Sequence, residues 1–163
     1  MSRLVLLLLA SIWLPQVIAE SPNVLHWRLD HNLDTSYKIV YKHLEENMFF
    51  VVFEPNIQKN LARFEARWGE DYNRSKLEGI RAMVFCNGWY ANRVSNADPA
   101  MLALCPLHIT MIQQQGKTQV LFARPSVIAA GSEALEIAKQ MEADVSKAIT
   151  AAVEELQDCK AEC

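Results

Sequence analysis

The four cysteines are the side chains of this sequence most able to do chemistry. Cys86 ends one apolar run and Cys105 leads into the next, so the intervening chain can fold back and bring the two together. A disulfide between them would close a loop of roughly 18 residues and contribute about 3 kcal/mol by restricting the unfolded chain. The alternative is a pair of buried free thiols, because cysteine packs readily as a small apolar side chain.

Cys159 and Cys163 stand four residues apart near the C-terminal end, a spacing that places them on one face of a continuing helix. A disulfide between them would require the helix end to fray, because regular helix geometry holds such a pair near the limit of disulfide reach. The other readings are a redox dithiol, a soft-metal site or a covalently modified terminal cysteine. Lys160 is the one neighbouring cation that would favour a thiolate.

Histidine and methionine side chains are the ligands that a copper or haem site in an exported protein would use. No two of the histidines have a ligand spacing. His108 is the strongest of them as a binding residue, because it follows Pro106 in an expected strand, although a hydrogen-bonded core or rim histidine is the favoured interpretation. The sequence identifies no cofactor. The residues concerned are His26, His31, His43, His108, Met83, Met101 and Met111.

The catalytic motifs of hydrolases, metalloproteases and nucleotide-binding enzymes do not occur in the sequence. We therefore favour a non-enzymatic protein. Polar and aromatic residues at two expected corners are the candidate binding residues: Asn87, Trp89 and Arg93 after one strand, and Arg124 in the 124–126 corner after another. Loops at a sheet edge are where binding residues concentrate.

The apolar periodicity predicts strand, helix, strand, helix, strand, short helix, hairpin and long helix. This order is typical of a single α+β domain, with a mainly antiparallel sheet of about four or five strands packed with helices and a long C-terminal helix. The last helix is expected to bury one stripe of apolar residues. The expected ranges are 24–29, 34–47, 48–53, 57–68, 80–86, 99–104, 107–112, 118–123 and 132–157, and the buried residues of the second helix are Leu61, Phe64 and Trp68.

Segments 48–53 and 83–85 are apolar without alternation, which predicts strands covered on both faces. Helices on both faces would satisfy this pattern. Alternatively, helices cover one face and a second copy of the chain covers the other in an isologous dimer. We favour the homodimer.

The N-terminal residues have the order of a cleavable secretory signal. Basic Arg3 precedes an apolar run, and small or apolar residues lead to Ala19. Because Pro15 interrupts the run, it is too short to span a membrane comfortably. We expect residues 1–19 to be removed and residues 20–163 to form one periplasmic or secreted domain without membrane contact. The net charge of −3, with both signs mixed along the chain, argues against a nucleic-acid partner.

Four segments together resemble the domain of unknown function 302 family: 83–89, 98–101, 104–107 and 116–120. They supply a hydrophobic strand ending in a turn, a short helix, a Leu-Pro-Leu strand and a Gly-Lys hairpin. The resemblance covers about residues 33–128 and implies an α+β fold that often forms dimers, with no established activity. Cys86 and Gly88 stand where the family usually has glycine and proline, as in an exported branch that carries cysteines.

The functional expectation is an exported, non-enzymatic binding or accessory protein that meets a small ligand or a partner protein. One alternative is a thiol redox or sulfur-handling protein that uses Cys159 and Cys163, with Cys86 and Cys105 as further thiols. The other is a copper or haem protein that uses His108 with cysteine or methionine.

Overall fold

A computed structural model describes residues 21–161, with side chains to residue 158. Its centre is a five-stranded antiparallel sheet in the order β1-β5-β4-β3-β2. Gln115 and Gly116 join β4 to β5 and both have positive φ, the conformation of a type I′ hairpin turn. The strands are β1 Val24–Leu29, β2 Phe50–Phe53, β3 Gly79–Cys86, β4 Leu107–Gln114 and β5 Lys117–Ala123.

Two long helices, α1 and α6, pack against each other and against one face of the sheet. The Asn32 side chain accepts a hydrogen bond from the Thr35 N–H and so caps the start of α1. The helices are α1 Leu33–Glu46, α2 Ile57–Ala62, α3 Glu65–Trp68, α4 Gly88–Ala97, α5 Pro125–Ile128 and α6 Leu135–Ala161, with 3₁₀ helices at Gly69–Asp71 and Pro99–Leu104. The predicted α+β fold with its long C-terminal helix is confirmed.

Alternation along the strands divides the sheet into a buried inner face and a more open outer face. Met83 and Phe85 of β3 are completely buried beneath the helices, whereas Val84 and Cys86 between and after them are only partly buried. Alternate residues of a strand point to opposite faces, so Val84 and Cys86 belong to the outer face. His108 lies on that face too, because it pairs with Val84 across the ladder.

The expected strand at 48–53, covered on both faces, is wrong in its start and its burial. Met48 has φ 64° and ends the turn after α1, while Phe49 is buried in the core beside that helix end. The strand begins only at Phe50 and forms the sheet edge, where three of its four residues are exposed. A continuous apolar run marks a buried central strand only when both of its neighbours are present.

The expected helix over 57–68 is also wrong, because the chain divides at Arg63 and Phe64 into α2 and α3. Neither helix has a buried residue. The Phe64 and Trp68 rings instead stack on each other with centroids 5.0 Å apart. The two rings therefore cover part of each other's apolar surface and do not enter the domain core.

Two expected loops are helical. Asn87 and Gly88 do not form a turn: Asn87 caps α4, so Trp89 and Arg93 lie in a helix. The 124–126 corner is the beginning of α5, with Pro125 in its first turn. The predicted signal sequence and Cys163 lie outside the described residues, as does the Cys159 side chain. Within residues 21–161, no helix is both long and apolar enough to cross a bilayer.

Candidate functional site

Cys86 and Cys105 lie at the same end of the sheet, as the sequence predicts: Cys86 is the last residue of β3 and Cys105 precedes β4. Both are partly buried thiols, and no bond joins them in this structure. Burial raises the pKa of Cys105, and the nearby Cys86 raises it further. A raised pKa keeps the thiol protonated at neutral pH, which is the opposite of an activated nucleophile. The disulfide between them stays a prediction.

His108 is exposed on the outer face of the sheet near this pair of cysteines. Cys86 lies on the same face, two residues beyond the cross-strand partner of His108. No three His, Cys, Asp or Glu side chains within the described residues are grouped to hold a metal ion. The copper or haem alternative, with His108 and a cysteine or methionine as ligands, stays a prediction.

The candidate binding residues after β3 divide into a structural and an exposed group. The Asn87 side chain accepts hydrogen bonds from the N–H groups of Trp89 and Tyr90, so it is occupied as the cap of α4. Trp89 is 66% exposed. The Arg93 guanidinium lies 5.9 Å from the Trp89 ring centroid and donates to Gln140 at 2.7 Å. Trp89 is therefore available to a partner at the surface, whereas Arg93 is half-buried and already bonded to Gln140.

Arg124 is held by a buried carboxylate rather than presented in a loop. Its Nε and Nη2 atoms donate to Oε1 of Glu142 at 2.9 and 2.8 Å. Ser126 donates its N–H and hydroxyl to the other oxygen. Burial alone would raise the pKa of Glu142, but the hydrogen bonds from Ser126 and Arg124 outweigh burial and leave it lowered. This network fixes α5 against α6.

A cavity opens at the opposite end of the sheet from the cysteines. We call it the α1–β3 cleft, after the elements that form two of its walls. Its volume is about 470 Å³, within the range of small-molecule sites. It is lined by Leu33, Asp34, Asn56, Gln58, Lys59, Ala62, Glu78, Gly79, Ile80, Arg81 and Gln113.

Arg81 is the most firmly oriented cation of the cleft. Its guanidinium carbon lies 3.5 Å from the Tyr37 ring centroid, and Nη1 is 3.4 Å from Oδ1 of Asp34. The Tyr37 hydroxyl is in turn hydrogen-bonded to Glu54 at 2.8 Å. Burial raises the pKa of Tyr37 far above its usual value, and Glu54 adds to the rise. Tyr37 is thus a neutral, fixed platform that holds the guanidinium at the cleft.

The remaining charges of the cleft differ in how far they are already paired. Glu78 accepts hydrogen bonds from the Gln113 side chain at 2.7 Å and the Gly116 N–H at 3.0 Å, which lower its pKa. Lys59 is exposed on α2 and forms no ion pair with a described residue. The cleft therefore presents one oriented guanidinium and one free ammonium, with the Asp34 carboxylate at the rim.

The model of the domain of unknown function DUF302 matches residues 25–152 of this chain. The chain belongs to the DUF302 family. Among solved structures, the DUF302 protein of Bacillus stearothermophilus, itself described as uncharacterized, is similar with a TM-score of 0.65 and 16% identity. The similarity covers 82% of this chain and 98% of that one, and at this identity it shows the fold alone. The search of curated proteins found no match.

Sequence reasoning missed the α1–β3 cleft of this DUF302 chain entirely. The cleft draws Asp34, Lys59, Arg81 and Gln113 from four separate segments that meet only when β3 pairs with β4 and α1 packs over them. One signal was available. Arg81 interrupts the apolar run of β3, and a charge within such a run requires a partner.

Proposed function

We propose that this DUF302 protein is an exported, non-enzymatic binding protein that holds a small polar ligand in the α1–β3 cleft. The observation that carries the proposal is Arg81, which Tyr37 holds rigidly at a cavity of about 470 Å³. A guanidinium fixed before binding loses little freedom when a ligand arrives, which favours affinity. The residues lining the cleft, all within the described part of the chain, include neither cysteine nor histidine.

The cleft fits a ligand that carries a carboxylate. A planar guanidinium pairs with a carboxylate through two parallel hydrogen bonds, and the ammonium of Lys59 would add a second positive charge. Asp34 and Glu78 lie on the same walls, so a multiply charged anion such as a phosphate is disfavoured by repulsion. A ligand with a single negative charge meets both conditions.

Titration with small carboxylates, followed amide by amide with NMR, tests this proposal. We expect ligands with Kd of about the millimolar range or tighter to shift the amides of Gly79, Arg81 and Gln113. Lys59→Gln should weaken binding, whereas Lys38→Gln, an exposed helix lysine away from the cleft, should not. If no small carboxylate moves these amides, the proposal is wrong.

Export and assembly form a second part of the proposal. In an oxidising compartment Cys86 and Cys105 would join as a structural disulfide. A second copy would cover the outer face as an isologous dimer. The support is the exposed apolar area of Met48, in the turn before the edge strand, and of Phe50, Val52 and Phe53 in that strand.

Intact mass with and without reduction, on protein isolated from its export compartment, tests cleavage after Ala19 and the disulfide together. Thiol mapping separates the alternatives, because free or mixed-disulfide Cys159 and Cys163 would favour the redox function over a binding protein. Size-exclusion chromatography with light scattering reports the oligomeric state. A monomer at high concentration would overturn the dimer, and a Phe50→Ser variant should dissociate a dimer formed through this edge.

A further inference from the structure

The α2–α3 segment, residues 57–68, carries an aromatic pair at the protein surface. Every residue from 62 to 71 is exposed, and neither α2 nor α3 has a buried residue. The Phe64 and Trp68 rings stack on each other, yet they remain 43% and 39% exposed. Contiguous apolar area that stays exposed after folding is typical of an interaction surface.

Two arginines accompany the aromatic pair. Arg63 directly precedes Phe64, and Arg67 directly precedes Trp68, so cations and rings occupy neighbouring positions along the segment. Both arginines are exposed, and neither forms an ion pair or a side-chain hydrogen bond with any described residue. Two unpaired guanidinium groups beside exposed rings favour a partner that offers both negative charge and apolar area.

The acidic side chains nearby do not cancel this positive charge. Glu65 and Glu70 are exposed in the same stretch, whereas Asp71 is paired with Nη2 of Arg74 at 2.6 Å. Residues 57–76 contain five Lys or Arg and three Asp or Glu, a net charge of +2 in a chain whose total is −3. The segment is therefore a locally cationic surface on a protein that is acidic as a whole.

We propose that the α2–α3 segment binds the surface of a bilayer that contains anionic phospholipids. Phe64 and Trp68 lie at the headgroup level, where aromatic rings concentrate, and Arg63 and Arg67 pair with the lipid phosphates. The contact is peripheral and needs no membrane-spanning helix. It departs from the sequence-based expectation of a domain without membrane contact, and it goes beyond ligand binding in the α1–β3 cleft.

Sedimentation of the mature chain, residues 20–163, with lipid vesicles tests the proposal. One set of vesicles is phosphatidylcholine alone, and the other is an equal mixture of phosphatidylcholine and phosphatidylglycerol. We expect the chain to bind only the vesicles that contain phosphatidylglycerol. Raising the salt from about 0.1 to 0.5 M should weaken this binding severalfold, because salt screens exposed charges.

Arg63→Gln combined with Arg67→Gln removes both cations beside the rings. Each lost charge should weaken binding about fivefold, the usual contribution of a cation at an anionic membrane surface. Lys38→Gln combined with Lys147→Gln is the matched control, since both lysines are exposed on other helices and the net charge changes equally. The control variant should lose much less affinity than the arginine variant.

Phe64→Ser tests the aromatic contribution and should weaken binding about fivefold, because a half-exposed ring then buries no further apolar area. Trp89→Ser, at a more exposed ring on α4, should leave binding unchanged. Brominated lipids quench a tryptophan that touches the bilayer. Their quenching of the protein emission should be lost in Trp68→Phe and kept in Trp89→Phe.

Each contrary result overturns the inference. Binding to neither set of vesicles, or equal binding to both, would show that the partner is not an anionic bilayer, and an acidic protein surface would become the better match. An equal loss in the lysine and arginine variants would show a response to net charge alone, and unchanged quenching in Trp68→Phe would place the contact elsewhere. Carboxylate titration of the cleft is a separate measurement, so either proposal can fail without the other.

Discussion

Replacing Arg124 by methionine tests whether the buried Glu142 carboxylate stabilises the fold as its contacts imply. The substitution keeps a long, largely apolar side chain and removes both guanidinium hydrogen bonds to Oε1 of Glu142. Glu142 is only 8% exposed, so its charge has little access to water once the partner is lost. The two hydrogen bonds from Ser126 remain.

The magnitude follows from how buried each partner is. Breaking a fully buried ion pair costs about 3–5 kcal/mol, because one charge is left without compensation. The Arg124 side chain is 37% exposed and part of the Glu142 charge stays bonded to Ser126, so we discount the loss to about 2 kcal/mol. Ser126→Ala, which removes one hydrogen bond to a charged acceptor, should cost about 1.5 kcal/mol.

The pH dependence has a definite sign. The pKa of Glu142 is lower in the folded protein than in the unfolded chain, so its stabilising contribution is present above the unfolded value of about 4. That contribution is lost as the pH falls through the folded pKa. The penalty of Arg124→Met should therefore be largest at neutral pH and shrink in acid.

Urea unfolding at neutral pH and in acid measures the effect as a difference between variant and wild type, so other carboxylates with lowered pKa, such as Glu155, cancel. Arg93→Met is the matched control. Arg93 donates to the neutral Gln140 at the surface, and its loss should cost less than about 1 kcal/mol with no pH dependence in this window. An equal Arg124→Met penalty at both pH values would refute the assigned role of Glu142.

Four further substitutions test the packing and the local signals, each by urea unfolding. Phe85→Ala should cost about 3–5 kcal/mol because Phe85 is fully buried, whereas Ile128→Ala, at a residue 56% exposed and away from the edge strand, should cost less than about 1 kcal/mol. Met48→Gly should stabilise by about 0.5–1 kcal/mol, since φ is 64° there and glycine adopts positive φ freely; a destabilised variant would contradict this. Asn87→Ala should cost about 1 kcal/mol through the lost cap of α4, and no loss would show that the cap is dispensable.

The long helix and the hairpin could be predicted from the sequence because a single local feature fixes each of them. The apolar stripe of α6 from Ala138 to Leu156 is buried as expected, since a helix of that length has one orientation that covers its apolar face. The β4–β5 hairpin was also predicted correctly. Gln115 and Gly116 separate two β-prone runs, and a two-residue turn fixes their register.

The errors fall where one residue type serves two local structures. Asn87 followed by Gly88 is typical of a turn, but an Asn side chain also caps helices. The helix forms here because it buries Tyr90 and Val94 of α4. Met48 and Phe49 are apolar and were expected in a strand, yet Met48 lies in the turn after α1 and Phe49 is buried in the core. Tertiary packing determines the local structure of these residues, and a short sequence pattern carries no information about that packing.

The two ends of the sheet differ in how completely their polar groups are satisfied. At the cysteine end, Asn87 and Glu142 make the hydrogen bonds that their positions require, so this end is built for stability. At the other end, within residues 21–158, Lys59 forms no ion pair, and Arg81 lies against the Tyr37 ring. Arg81 and Lys59 leave positive charge at the cleft with which a ligand carboxylate can pair. Ligand binding is therefore expected at the α1–β3 cleft rather than around the cysteines.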